Sequence, residues 1–159
     1  MPLTDYVTMG HAARGRGLNE VWLGIYAGKS LDPWIPGTYV QVRYNYAFVE
    51  QVADVAHDRT NADVELGWFI TPQLSVRGLF TAIDTHGGIP VPIPPSHPLF
   101  PYHDQLAAEK LRNVGGGLGW SISDSADIYL VYMKSISGEN AHMLTSGLTI
   151  GFNYAISGH

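Results

Sequence analysis

Four charged residues stand apart in this chain because each sits among small or polar neighbours on an alternating segment: Arg43, Asp63, Glu65 and Arg77. Charge is scarce here, at 14% of residues against roughly 25% in an ordinary soluble domain, so each charged position carries information. If their segments fold as successive antiparallel strands, Arg43 and Arg77 come within about one or two ladder positions of Glu65. Two kinds of chemistry suit such a group. It can form a constriction that sets charge preference, or a gate, along a polar path. It can equally form an ion-pair network that fills a narrow interior, because charges taken out of water must pair. The spacing leaves both readings open.

Other reactive side chains offer less. The chain has seven histidines. His97 and His103 share one loop with Asp104, and His57 and Asp58 share another, but no helical pair or His-x-His strand pair with further ligands occurs. Solvated loop histidines and no metal site are expected. No nucleophile-elbow pattern is present, and the Ser, His and Asp residues fall in loops that fix no geometry, so neither catalytic residues nor cofactors are expected. The run Gly115-Gly116-Gly117 lacks the Lys-Ser/Thr of a phosphate loop and lies mid-strand. It is expected to keep an interior open or to let a strand bend.

The elements that would position the charges are strands. From Ser146 the even positions read Ser146, Leu148, Ile150, Phe152, Tyr154 and Ile156, while Thr145, Gly147, Thr149, Gly151, Asn153 and Ala155 alternate with them. That is period two with one large apolar face and one small or polar face. The same grammar recurs over Asn113–Ser123, Asn61–Ile70 and Tyr39–Val49, and more noisily over Leu74–Asp84. Asp127–Ser137 is apolar on both faces, Val21–Gly28 is a further strand, and Tyr6–His11 is the weakest candidate. Val49–His57 and Gln105–Leu111 have helix-like spacing and are expected as short helical turns at a rim.

Thr71-Pro72-Gln73 and Ser123-Asp124-Ser125-Ala126 are tight turns, whereas residues 50–60, 85–110 and 138–144 are long links. This alternation suits short turns at one end of a transmembrane barrel and long loops at the other, although the link at 29–38 is longer than the scheme asks. Residues 85–108 form a proline-rich extended loop, carrying Pro90, Pro92, Pro94, Pro95, Pro98 and Pro101, and cannot be a central strand. Trp68, Trp120, Phe152 and Tyr154 all fall near the short-turn end of their strands, as a membrane-interface girdle would.

The expectation is therefore all-β: residues 1–159 as a single antiparallel transmembrane β-barrel domain of about seven or eight strands. Low charge with a mean hydropathy of +0.00 fits lipid-facing and lumen-facing residues that cancel. A net charge of −5 without a basic cluster excludes nucleic acid as a partner. Membrane lipid and a small-molecule solute are the expected partners. Met1–Asp5 has neither the basic nor the apolar region of an export signal, so the expectation is a mature form or a missing N-terminal part.

Several stretches carry a resemblance: His103-Asp104-Gln105, Asn113-Val114-Gly115-Gly116-Gly117, Ser137-Gly138-Glu139-Asn140-Ala141-His142 and Gly147-Leu148-Thr149-Ile150-Gly151. Over roughly residues 60–156 the chain resembles the family of outer-membrane transporters linked to meta-cleavage phenol degradation. The resemblance implies an outer-membrane barrel associated with passage of small, often aromatic or apolar, compounds, and supplies no site residues. Such proteins are longer, so it also implies the C-terminal portion of a larger barrel, completed by missing N-terminal strands or by a homo-oligomer. Outer-membrane barrels tend to end on an aromatic residue, whereas Ser157-Gly158-His159 follow here. Two alternatives stand beside the channel: a small structural outer-membrane barrel with a plugged lumen and partner-binding loops, and a soluble lipocalin-like barrel with the two faces reversed.

Overall fold

The computed structural model describes residues 17–32, 34–141 and 145–155. The candidate strand Tyr6–His11 and the terminal Ile156 lie outside them. Seven strands form one antiparallel sheet in sequence order: β1 (Glu20–Ser30), β2 (Thr38–Val49), β3 (His57–Phe69), β4 (Leu74–Gly87), β5 (Lys110–Ser123), β6 (Ala126–Glu139) and β7 (Ser146–Tyr154). Among the described residues no pairing joins β7 to β1. The seven strands therefore make an open sheet with two free edges, not the closed cylinder expected from the alternation.

The register stacks like on like. Val64 pairs with Phe80, Phe80 with Val114, Leu118 with Leu130 and Leu130 with Ile150, all on one face. Because side chains alternate, every intervening residue falls on the other face, where Asn61, Asp63, Thr81, Asn113, Gly119 and Thr149 lie. The apolar face is uncovered: Leu118 is 49% exposed and Ile150 72%.

That face is apolar only over part of its height. On β3, β4 and β5 the apolar run covers Ala62–Ile70, Leu74–Ala82 and Val114–Ile122, each about nine residues, the length a tilted strand needs to cross a bilayer. Beyond the run, toward the long links, the same face turns polar. Tyr46 donates to Asp58 at 2.9 Å, Thr60 and His86 meet at 3.0 Å, and Arg112 grips both oxygens of Asp84 at 2.8 and 2.6 Å. β5 and β6 slip register at the same level, between Arg112 and Asn113.

The links follow their chemistry. Asp32 closes the β1–β2 turn by accepting from Gly37 N–H at 2.6 Å and from the Ser30 hydroxyl, and these two bonds hold its carboxyl below the usual carboxylate range. The Trp34 and Ile35 N–H groups both donate to the Leu31 carbonyl at 2.8 Å, so the link exceeds a tight hairpin yet stays hydrogen-bonded. Val49–His57 is not helical: Val52 and Val55 form an isolated bridge, with Ala53 and Asp54 at positive φ. The helix expected over Gln105–Leu111 is a single turn set earlier, α1 (His103–Leu106). Ala107 leaves it at ψ 129°, and Lys110 already belongs to β5.

The only tightly buried side chains among the described residues gather at the long-link end. Ala47, Val49, His57 and Thr85 are buried at the ends of their strands, together with Ile89, Gln105, Leu106 and Ala107 of the β4–β5 link. Ala47, Arg59 and Thr85 share one row of the polar face, so the link folds over that face. His57 is fully buried there. The expectation of a solvated loop histidine is corrected: His57 begins β3 as a fully buried residue, its Nδ1 3.3 Å from the Val55 carbonyl.

Candidate functional site

The polar face carries the four charges singled out by sequence, sorted into two pairs. Arg43 and Asp63 are direct cross-strand partners; Arg43 Nε donates to Asp63 Oδ2 at 2.7 Å and its Nη2 makes an ion pair with the same oxygen at 2.7 Å. Glu65 accepts from the Tyr39 hydroxyl at 2.6 Å and faces Arg77 Nη1 at 3.6 Å. Arg77 stands over the Tyr129 ring, 5.6 Å from its centroid. Arg43 thus belongs to Asp63, while Arg77 reaches diagonally across the ladder to Glu65. Higher on the same face Arg59 pairs with Glu20 and lies 5.7 Å from the Trp22 ring centroid, and the Trp22 indole donates to Glu20 at 3.0 Å. Sequence reading passed over this second cluster because Glu20 and Arg59 lay outside the alternating windows.

The glycines explain how long side chains lie flat here. Tyr39 pairs with Gly67, Arg77 with Gly117, Met133 with Gly115 and Tyr129 with Gly151. At each of these glycines an added Cβ would collide with its partner's side chain. The glycines are seats for cross-strand side chains, a correction to the open space expected around Gly115-Gly116-Gly117. Covering rings and stems also shield the exposed backbone of those strands. Gly67→Val should dislodge Tyr39, break its bond to Glu65 and cost about 1–3 kcal/mol in urea unfolding. Gly78→Val, on the apolar face with nothing within 4 Å of its Cβ position, should stay within about 0.5 kcal/mol of the parent.

Trp68, Trp120, Phe152 and Tyr154 all lie on the apolar face at the tight-turn end, and all are exposed. Trp120 shares a row with Leu74, Ile128 and Phe152, with Trp68 one row above and Tyr154 one row below. Phe152 and Tyr154 stack at 6.5 Å.

The folded β4–β5 link is tied down by the next loop. Asn140, at φ 52°, accepts from Val91 N–H at 3.1 Å and donates to the Ala108 carbonyl at 3.0 Å. Within the link His103 donates from Nδ1 to the Phe100 carbonyl at 2.7 Å, stacks on Phe100 and faces Asp104. Among the described residues no group of three or more metal-ligating side chains comes together.

The fold and site define an all-β, meander-type sheet with one polar, ion-paired face and one exposed apolar face. No protein-family model, curated protein or solved structure matches this chain.

Proposed function

We propose that the chain forms part of the wall of an outer-membrane β-barrel that lets small molecules diffuse across, with the polar face as its lumen. One observation carries the reading. On β3, β4 and β5 the large exposed apolar side chains are concentrated on one face over about nine residues, and on these strands that face turns polar only beyond this height. In water such a face is a liability, whereas in hydrocarbon it is the required surface. The aromatic row of Trp68, Trp120, Phe152 and Tyr154 then sits at the periplasmic interface, and the polar cluster of Asp84 and Arg112 stands clear of the outer one. The pairs Arg43–Asp63 and Arg77–Glu65 set the preference of the path. Further strands, from a second copy or from a longer chain, complete the wall.

A second reading has its own observation. The β4–β5 link buries its own Ile89, Leu106 and Ala107 at the end of the sheet where Ala47 and Thr85 of the polar face are also buried, as a plug or lid would. An eight-stranded barrel of this kind would be filled by its own side chains and serve as a structural element.

The protein should require detergent for solubility and migrate differently on a denaturing gel before and after boiling. A compact, monomeric and detergent-free form would overturn the membrane assignment. Single-channel conductance in a planar bilayer separates channel from plug. In the channel, Arg77→Ala should shift ion selectivity toward cations, because Glu65 loses its counter-charge; unchanged selectivity would remove Arg77 from the path.

A further inference from the structure

The polar face contains a built hollow whose lining is divided in character. It measures about 460 Å³, within the range that accommodates a small organic ligand. On the β1–β2 side it presents Tyr26, Gln41 and Arg43, between the sides the ion-paired carboxylates Asp63 and Glu65, and on the far side Leu79 and Met133 beside Thr81. Tyr26 is the cross-strand partner of Arg43, and Gln41 precedes Arg43 on the same face, so three donor groups converge.

The state of those donors indicates the ligand. Asp63 takes Arg43 side-on, through Nε and Nη2. The end-on edge of the guanidinium is left without a protein partner among the described residues, and the Arg43 side chain is 60% exposed. The Tyr26 hydroxyl and the Gln41 amide likewise meet no hydrogen-bond partner among those residues. The nearby acceptors are already engaged: Asp63 by Arg43, and Glu65 by Tyr39 and Arg77. A planar guanidinium edge held in place by a carboxylate behind it matches an incoming carboxylate, which can accept two parallel N–H bonds. Neighbouring strands stand about 4.8 Å apart, so Leu79 on β4 lies about 10 Å from Gln41 on β2. That span suits a compact apolar body attached to the acid group.

We infer that this hollow binds small organic monocarboxylates, the carboxylate on Arg43, Gln41 and Tyr26 and the apolar body against Leu79 and Met133. The inference rests on the channel reading, which makes the polar face a lumen, and names the class of solute that would pause there.

Calorimetric titration of the whole chain in nanodiscs, with benzoate as probe and benzamide and benzyl alcohol as neutral counterparts, tests it. Benzoate should bind saturably, about tenfold or more tighter than either neutral compound. Arg43→Met should remove that preference, and Arg43→Lys should restore part of it. Gln41→Leu, which leaves the ion pair intact, should weaken benzoate about fivefold and guards against loss of the fold in Arg43→Met. Leu79→Asn should weaken benzoate while leaving acetate unchanged. Equal affinity for benzoate and benzamide, or benzoate binding that ignores both Arg43→Met and Gln41→Leu, would overturn the inference. A chain that conducts in bilayers without discriminating benzoate would refute the carboxylate site alone. One that discriminates without conducting would uphold the site and refute the channel.

Discussion

Leu118→Arg is expected to prevent stable membrane insertion, whereas Thr149→Arg is expected to be tolerated. Leu118 lies at the centre of the apolar run of β5, between Val76 and Leu130 on the neighbouring strands. In the proposed barrel an arginine there would face hydrocarbon with no partner, at a cost of about 2–4 kcal/mol at mid-depth. That is a large share of the net stability of a typical domain. Thr149 lies on the opposite face of β7, at the edge of the sheet beside Val131 and between Gly147 and Gly151, where an added guanidinium would extend into the proposed lumen rather than into lipid. The measurement is urea unfolding in lipid vesicles, together with the fraction of protein that shows heat-dependent mobility. The reverse pattern, with Leu118→Arg harmless and Thr149→Arg disruptive, would mean that the apolar face looks inward, as in a soluble lipocalin-like barrel.

Leu106→Ala should open the β4–β5 link and leave the sheet intact. Leu106 is fully buried in the small core at the long-link end, and truncating such a residue costs about 2–5 kcal/mol. The loss should remain local because that core involves only the long-link ends of the strands. Its readout is amide exchange. Ile89 N–H donates to the Leu106 carbonyl at 2.8 Å and Ala108 N–H to the Ile89 carbonyl at 2.9 Å, so both amides report the closed link. Both should exchange at least about thirtyfold faster in the variant, while amides in the centre of β5 and β6 keep their rates. Parallel acceleration in the sheet would show instead that link and sheet open as one unit.

The contrast between these two sites also shows what the sequence could convey. Leu148, Ile150 and Phe152 alternate against Thr149, Gly151 and Asn153 because one face meets a different medium from the other, and that contrast is written residue by residue. The centres of β2, β3, β5 and β7 were legible for this reason, and β4 less cleanly, whereas β6 is apolar on both faces. The long-link ends were not legible: His57–Thr60, Thr85–Gly87 and Lys110–Arg112 extend the strands by a few residues beyond the expected limits. There Asp58, Asp84 and Arg112 replace the apolar residues, so periodicity ends although the ladder continues. The charge group was legible to within a ladder position. Its division into Arg43–Asp63 and Arg77–Glu65 depended on the direction of each side chain, which spacing does not encode. The burial of His57 and the seating of Tyr39, Arg77, Met133 and Tyr129 on glycines were invisible for a related reason. They arise from contacts between segments far apart in sequence.

The two free edges of the sheet fix an order of events. β7 offers about nine backbone groups along its outer side, and β1 offers a similar row. In water these groups are hydrated, but in hydrocarbon each unpaired group costs several kcal/mol, a total on the order of tens of kcal/mol for the two edges. A sheet with both edges unpaired is thus barred from a bilayer more firmly than any single charge would bar it. If the chain is part of the proposed barrel wall, entry into the membrane and the pairing of β1 and β7 with their next strands would be one concerted step. Until that step the apolar edge of β7 is open to any extended chain, so a holding partner or prompt assembly decides between a wall and an aggregate.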